Sequence, residues 1–272
     1  MNPTKRVKTG IAPIEGAGLY YEVTGEGQPL VLAHAGFVDR RMWDDQFLVF
    51  ARRYRVVRYD RRGFGNSKLT PGPFSHRRDL YHLLKFLDIE AAHLLGCSMG
   101  GQIIIDFALE HPEMTSSLVL VSSALGGYPL QGDMPKPLQE LSAALKAQDL
   151  PRAAEIAVRI WVDGPQRTPD QVNARVRERA REMSLTALPA ALVNEEPLEP
   201  PAFERLNELT APTLVIVGES DDAHIARIGE RLTTHIAGAR KIVISGTAHL
   251  PNMEKPEEFN QSVLAFLQPG PS

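Results

Sequence analysis

A single cysteine, Cys97, is found among 272 residues. No intrachain disulfide can form, so the stapled scaffolds of small secreted proteins are excluded. One cysteine also suits a reducing compartment, and a cytoplasmic location is expected. No apolar run reaches the roughly 18 residues of a membrane-crossing helix. The first ten residues are polar and basic, and no apolar h-region follows, so a signal peptide is not expected. An excess of positive charge is missing too: 30 Lys and Arg stand against 33 Asp and Glu, a net charge of −3. Nucleic-acid binders usually carry a basic stripe. The densest basic segment here, Arg175 to Arg181, is interleaved with Glu178 and followed by Glu182, the pattern of a solvated helix face. Neither nucleic acid nor a membrane is an expected partner.

What is present is a globular balance, 43% hydrophobic and 23% charged residues, enough to bury a substantial core. Short runs rich in Val, Leu and Ile recur along the chain: Pro29 to His34, Tyr54 to Tyr59, Ala92 to Gly96, Ser117 to Val121, Thr213 to Val217 and Lys241 to Ile244. Near-continuous apolar strands read as a parallel sheet covered on both faces. A further strand at Tyr20 to Val23 pairs with an earlier one across the Glu15 to Gly18 turn. Helical spacing lies between them, as in Leu80, Leu83, Leu84 and Leu87, or Phe259, Val263, Phe266 and Leu267. Strand–helix alternation predicts an open α/β sheet. The rhythm breaks over residues 124–206, where helical periodicity and prolines appear without a convincing strand. That stretch is expected to be a helical insertion, with 1–123 and 207–272 forming the core.

Gly96-Cys97-Ser98-Met99-Gly100 matches G-x-S-x-G. A strand-like run precedes it and a helix-like run follows, the strand–turn–helix setting in which such a serine is presented on a tight turn. Side chains at 96 and 100 would collide with neighbouring backbone. A serine hydroxyl is a poor nucleophile until a base removes its proton. Ser98 is also a residue type that simply caps helices, so its partners decide.

Eight histidines are candidates for the base. His249 lies just after the run Lys241 to Ile244, at the carboxyl end of a strand, where ligands meet open α/β sheets. His224 also follows a strand and competes weakly. A carboxylate must fix the tautomer of the base, and three compete in Gly218-Glu219-Ser220-Asp221-Asp222: Glu219, Asp221 and Asp222. After the preceding strand the chain reads Ser122-Ser123, with no carboxylate. Backbone N–H donors for an oxyanion are expected from Met99 and from Gly36 in His34-Ala35-Gly36-Phe37, with Phe37 as the fallback. No metal and no cofactor is expected.

These residues together resemble the α/β-hydrolase superfamily, nearly end to end. Asp60-Arg61-Arg62-Gly63-Phe64-Gly65-Asn66-Ser67 is similar to its D-x-R-G-x-G-x-S segment. Leu95 to Gly101 resembles its nucleophile elbow, Gly218 to Asp221 its acid loop, and His249 with Glu254, Pro256 and Phe259 its histidine loop. The resemblance implies a mostly parallel eight-stranded sheet flanked by helices, the helical insertion acting as a cap, and the triad Ser98, Asp221 and His249. Aligning on His34 and Trp43 puts Gly36 at the donor position of that family. His-Ala-Gly replaces the commoner His-Gly-x, and Cys97 replaces the commoner His or Gln. A serine nucleophile sets aside the relatives that attack with aspartate. Pro71-Gly72-Pro73-Phe74-Ser75 and Trp161-Val162-Asp163-Gly164-Pro165 resemble small bacterial carboxylesterases and 3-oxoadipate enol-lactonases, which implies a small ester or lactone substrate. Phe37 and, from the apolar residues of the insertion, Trp161 are the candidate pocket residues, with packing inside the cap as the competing role for Trp161. A C–C bond hydrolase on the same fold, and a ligand receptor that retains the triad, are the alternatives.

Overall fold

One eight-stranded sheet organises the computed structural model, which describes residues 6–130, 132–190 and 195–268. In chain order the strands are β1 (Lys8–Ile14), β2 (Ala17–Thr24), β3 (Pro29–Ala33), β4 (Arg55–Tyr59), β5 (Ala92–Cys97), β6 (Thr115–Val121), β7 (Thr213–Gly218) and β8 (Arg240–Ile244). Their spatial order is β1-β2-β4-β3-β5-β6-β7-β8. The first two ladders, β1 with β2 and β2 with β4, are antiparallel, and all others are parallel.

The apolar runs explain this order. Every residue of β5 and of β7 is buried, as expected of strands covered on both faces. Successive residues alternate between two cores. Leu30, Leu32, Leu95, Val119 and Ile216 face one side, with α1 (Asp44–Phe50) and α10 (Pro256–Leu267). Val31, Ala33, Leu94, Leu118 and Val215 face the other, with α2 (His76–Phe86), α3 (Met99–Glu110) and α8 (Ala223–His235). Each fully buried Leu, Val or Ile contributes roughly 1.5–3 kcal/mol. The run at Lys241 to Ile244 has the composition of a covered strand, yet β8 is an edge strand and Val243 is exposed. Periodicity alone does not reveal that position.

Between β6 and β7 the described residues form helices and turns only: α4 (Lys136–Lys146), α5 (Leu150–Ala157), a π-helical turn (Val158–Asp163), α6 (Ala174–Ala187) and α7 (Ala202–Arg205). Leu141, Ala154, Val158, Val176 and Met183 of this insertion share one apolar cluster with Phe37, Val38 and Met42 from the segment after β3. The Ser184 hydroxyl donates to the Phe37 carbonyl at 2.9 Å. The chain leaves β3 toward β4 on one side and reaches β5 on the other. The carboxyl ends of β3 and β5 therefore flank a switch point, where crevices open in α/β sheets.

Candidate active site

Ser98 stands directly after β5, at φ 54° and ψ −118°. A side-chain-bearing residue rarely adopts positive φ, and such strain survives only where the surroundings over-determine it. Here the Ser98 N–H donates to the Val121 carbonyl at 2.9 Å, and its carbonyl accepts from Gln102 and Ala124. The flanking glycines let the turn close. A Cβ on Gly96 would lie 2.3 Å from the Gly100 carbonyl oxygen, and one on Gly100 would lie 2.3 Å from the Ala33 oxygen. Both obstacles are backbone. The Ser98 side chain makes no capping bond to α3, so capping does not account for this serine.

His249 sits in the loop before α9 (Pro251–Glu254) and is 1% exposed. Its Nδ1 lies 3.1 and 3.0 Å from the two carboxylate oxygens of Asp221, itself 7% exposed. That contact makes Nδ1 the donor and leaves Nε2 as the acceptor. Nε2 is buried and, among the described residues, has no hydrogen-bond partner. Backbone contacts hold both residues: the His249 N–H donates to the Trp161 carbonyl at 3.1 Å, and the Asp222 N–H donates to Asp221 Oδ1 at 2.7 Å.

The competing groups are occupied elsewhere. Glu219 accepts the Gly246 N–H at 2.8 Å on the surface, and Asp222 caps α8 by accepting the His224 N–H at 2.7 Å. The His224 ring packs edge-on against Tyr128 at 5.3 Å. Both nitrogens of His34 are engaged, Nδ1 with the Ala35 carbonyl at 2.8 Å and Nε2 with the Arg61 N–H at 3.0 Å. Burial and the Arg61 charge push the His34 imidazolium down to about 3, so the ring stays neutral. Cys97 is buried behind the histidine loop, and burial followed by the Asp221 charge pushes its thiol well up.

Gly36 and Met99 come together: a Cβ on Gly36 would meet Met99 Cβ at 3.5 Å, an ordinary contact. Steric exclusion thus explains Gly96 and Gly100 but not Gly36. Both Gly36 and Met99 line a cavity of about 520 Å3, together with Arg61, Gln102, Asp106 and Glu195. Phe37 and Trp161 stack at 4.6 Å, with centroids 6.3 and 6.5 Å from the His249 ring. They are not among the walls of that cavity.

The Asp60 to Ser67 segment, one of those that carry the family resemblance, serves architecture. Asp60 accepts from Arg40 and from the Asn66 N–H, and Arg62 forms a two-bond pair with Asp79 at 2.7 and 3.0 Å. The sequence did not point to Arg167. Its guanidinium donates to the carbonyls of Val162, Asp163 and Gly246 and to Glu254, at 2.7–2.8 Å. Glu254 in turn accepts the Ala248 N–H at 2.7 Å. One insertion residue therefore grips both flanks of His249. Nor did the sequence point to Asp106 or Glu195, which no motif covers. Among the described residues no cluster of three or more His, Cys, Asp or Glu could hold a metal ion, and no helix is long and apolar enough to cross a membrane.

A sheet with this strand order, carrying a strained serine after β5 and a histidine–carboxylate pair after β8 and β7, is the framework of an α/β hydrolase. The alpha/beta hydrolase family model matches residues 30–262, and the chain belongs to that family. It is 32% identical to the 2-hydroxy-6-oxononadienedioate/2-hydroxy-6-oxononatrienedioate hydrolase of Paraburkholderia phymatum, over 92% of this chain and 90% of that one. It is 27% identical to carboxylesterase YbfK of Bacillus subtilis, over 88% and 79%. The enol-lactonase structure from Burkholderia xenovorans superposes with a TM-score of 0.79 at 25% identity, over 95% and 99%. The protein is a hydrolase.

Proposed function

We propose that the protein hydrolyses small carboxylic esters through an acyl-enzyme, with Ser98 as nucleophile, His249 as general base and Asp221 as the carboxylate that orients it. The observation that carries this is the state of His249: Nδ1 is committed to Asp221 while Nε2 is buried and, among the described residues, unpartnered. That nitrogen is free to take the Ser98 proton as Oγ attacks the ester carbonyl. The N–H groups of Gly36 and Met99 hold the oxyanion. The imidazolium then protonates the departing alcohol, and water cleaves the acyl-enzyme by the same proton path. Residues 124–206 act as a cap over the site, and Phe37 and Trp161 shape the pocket near the imidazole.

The Paraburkholderia relative supports an alternative reading, hydrolysis of a C–C bond, and the enol-lactonase neighbour extends the range to lactones. Ser98→Ala tests the ester reading. Turnover of p-nitrophenyl butyrate falls on the order of 10⁴-fold or more, and labelling by a fluorophosphonate at residue 98 disappears. Retained turnover excludes Ser98. A substrate panel of esters, lactones and vinylogous 1,5-diketones separates the bond types, and rapid multiple turnover without a partner protein argues against a receptor.

A further inference from the structure

The cavity that begins at Gly36 and Met99 is unusual in its charges. Of its lining charges, Glu196 is paired with Arg78 at 2.8 Å, and the neighbouring Arg77 is paired with Glu110 at 3.0 Å. Arg61, Asp106 and Glu195 also line it, and among the described residues none of the three forms an ion pair. Arg61 is 2% exposed; its Nη2 donates to the Ala35 carbonyl at 3.2 Å, and its Nε has no partner. Asp106 is 6% exposed, and its Oδ1 is unpartnered although the Gln102 side chain bonds the carboxyl. Glu195 accepts the His76 N–H at 2.8 Å.

Buried charges are ordinarily paired, because isolated ones are costly to desolvate. Arg61 and Glu195 offset one another through space. That leaves Asp106 with no ion-pair partner among the described residues, since Arg77 and Arg205 act on it only through space. It lies on the helix that starts at the nucleophile. Gln102 and Asp106 follow Ser98 at four-residue steps, on one face; eight residues at 1.5 Å each set the Asp106 Cα about 12 Å along the helix, and its side chain leans back toward the serine.

We propose that this cavity is an acyl-chain subsite that recognises a protonated amine at Asp106, so that the preferred substrates are esters whose acyl chain ends in an ammonium group roughly 10 Å from the carbonyl. The inference rests on the ester reading above and adds the substrate class. A cationic chain end brings the three charges to neutrality, which neither a neutral nor an anionic end does. A proton does the same in the empty cavity. Burial, followed by the Glu195 charge, raises the Asp106 carboxyl to about 7, with Arg77 opposing and Glu110 reinforcing. Arg205 is the remaining cation that senses it. His76 faces the cavity as a neutral ring, because burial holds its imidazolium far down. Amine binding near pH 7 therefore expels a proton.

The test compares three p-nitrophenyl esters at pH 8: 8-aminooctanoate, octanoate and hydrogen suberate. The wild type favours the aminooctanoate over the octanoate by about tenfold or more in kcat/KM, a preference of roughly 1.4 kcal/mol. Asp106→Asn reduces that ratio to about threefold or less, and Glu195→Gln lowers it as an independent variant. Equal use of the three esters overturns the proposal, and preference for the suberate hands recognition to Arg61 and overturns it too. If no ester is turned over, the catalytic reading fails separately. Calorimetry of octylammonium with Ser98→Ala near pH 7, in buffers of different ionisation enthalpy, then decides the subsite. Binding with proton release supports it; absence of binding, or binding without proton release, overturns it.

Discussion

Gly100→Ala sets two magnitudes against each other. Position 100 lies in the first turn of α3, where alanine normally stabilises a helix by about 1 kcal/mol relative to glycine. The new Cβ, however, would lie 2.3 Å from the Ala33 carbonyl oxygen, 2.7 Å from its carbon and 2.7 Å from the His34 oxygen. All three atoms are backbone, so no rotamer change relieves the overlap, and α3 must move away from the end of β3 by about 1 Å to reach ordinary contact. Overpacking of this kind costs about 1–3 kcal/mol. With the upper value, the net loss after the propensity gain is about 2 kcal/mol, a fall in Tm of roughly 4–8 °C. The same displacement widens the gap between Met99 and Gly36, and a misplacement of 1 Å costs on the order of 10²-fold in rate. Differential scanning calorimetry and kcat for a short p-nitrophenyl ester measure the two effects. Gly36→Ala supplies the stability contrast: its Cβ would touch only Met99 Cβ at 3.5 Å, and Tm moves by about 2 °C or less. A Gly100→Ala protein as stable and as fast as wild type would refute the reasoning.

The remaining expectations follow from single contacts. Asp221→Asn lowers kcat on the order of 10⁴-fold with the fold intact, whereas Asp222→Ala removes the α8 cap and costs about 1 kcal/mol in urea unfolding; the reverse pattern would make Asp222 the orienting acid. Arg167→Lys does not restore what Arg167→Met loses, because an ammonium cannot span three carbonyls and Glu254 in the fixed fork of a guanidinium. A kcat loss in both variants, with KM changed little, is the expected kinetic signature, and full activity of the lysine variant would show that charge alone suffices. Asp106 takes up protons more readily folded than unfolded, so its contribution is most favourable at acid pH and declines as pH rises through about 7. Asp106→Asn therefore raises Tm more at pH 8 than at pH 5; an equal change at both would show that the carboxyl is not held up by the fold.

Legibility in the sequence followed the range of the interaction. The interior strands were readable because burial on both faces leaves a run of Val, Leu and Ile, and the elbow was readable because its glycines answer to backbone only a few residues or one strand away. The choice among Glu219, Asp221 and Asp222 was not a local matter. Neighbouring carboxylates share composition and spacing, and only the paths of two separate loops give one of them the imidazole, another the Gly246 amide and the third the α8 terminus. Arg167 and Asp106 were hidden for the same reason. Arg167 is one of many arginines in a helical segment; its partners lie partly in the loop more than seventy residues away. Asp106 has the character of an ordinary polar position on α3 until the opposite wall of the cavity is known.

The Arg167 grip has a consequence for engineering by segment exchange. The segment between β6 and β7 supplies the carbonyl of Trp161 to the His249 amide and the guanidinium that spans Gly246 and Glu254. Transplanting that segment from another member of the family, to import a different substrate range, would exchange part of the support for the imidazole at the same time. Chimeras that keep Trp161 through Arg167 from this chain and replace only the flanking helices separate the two inheritances.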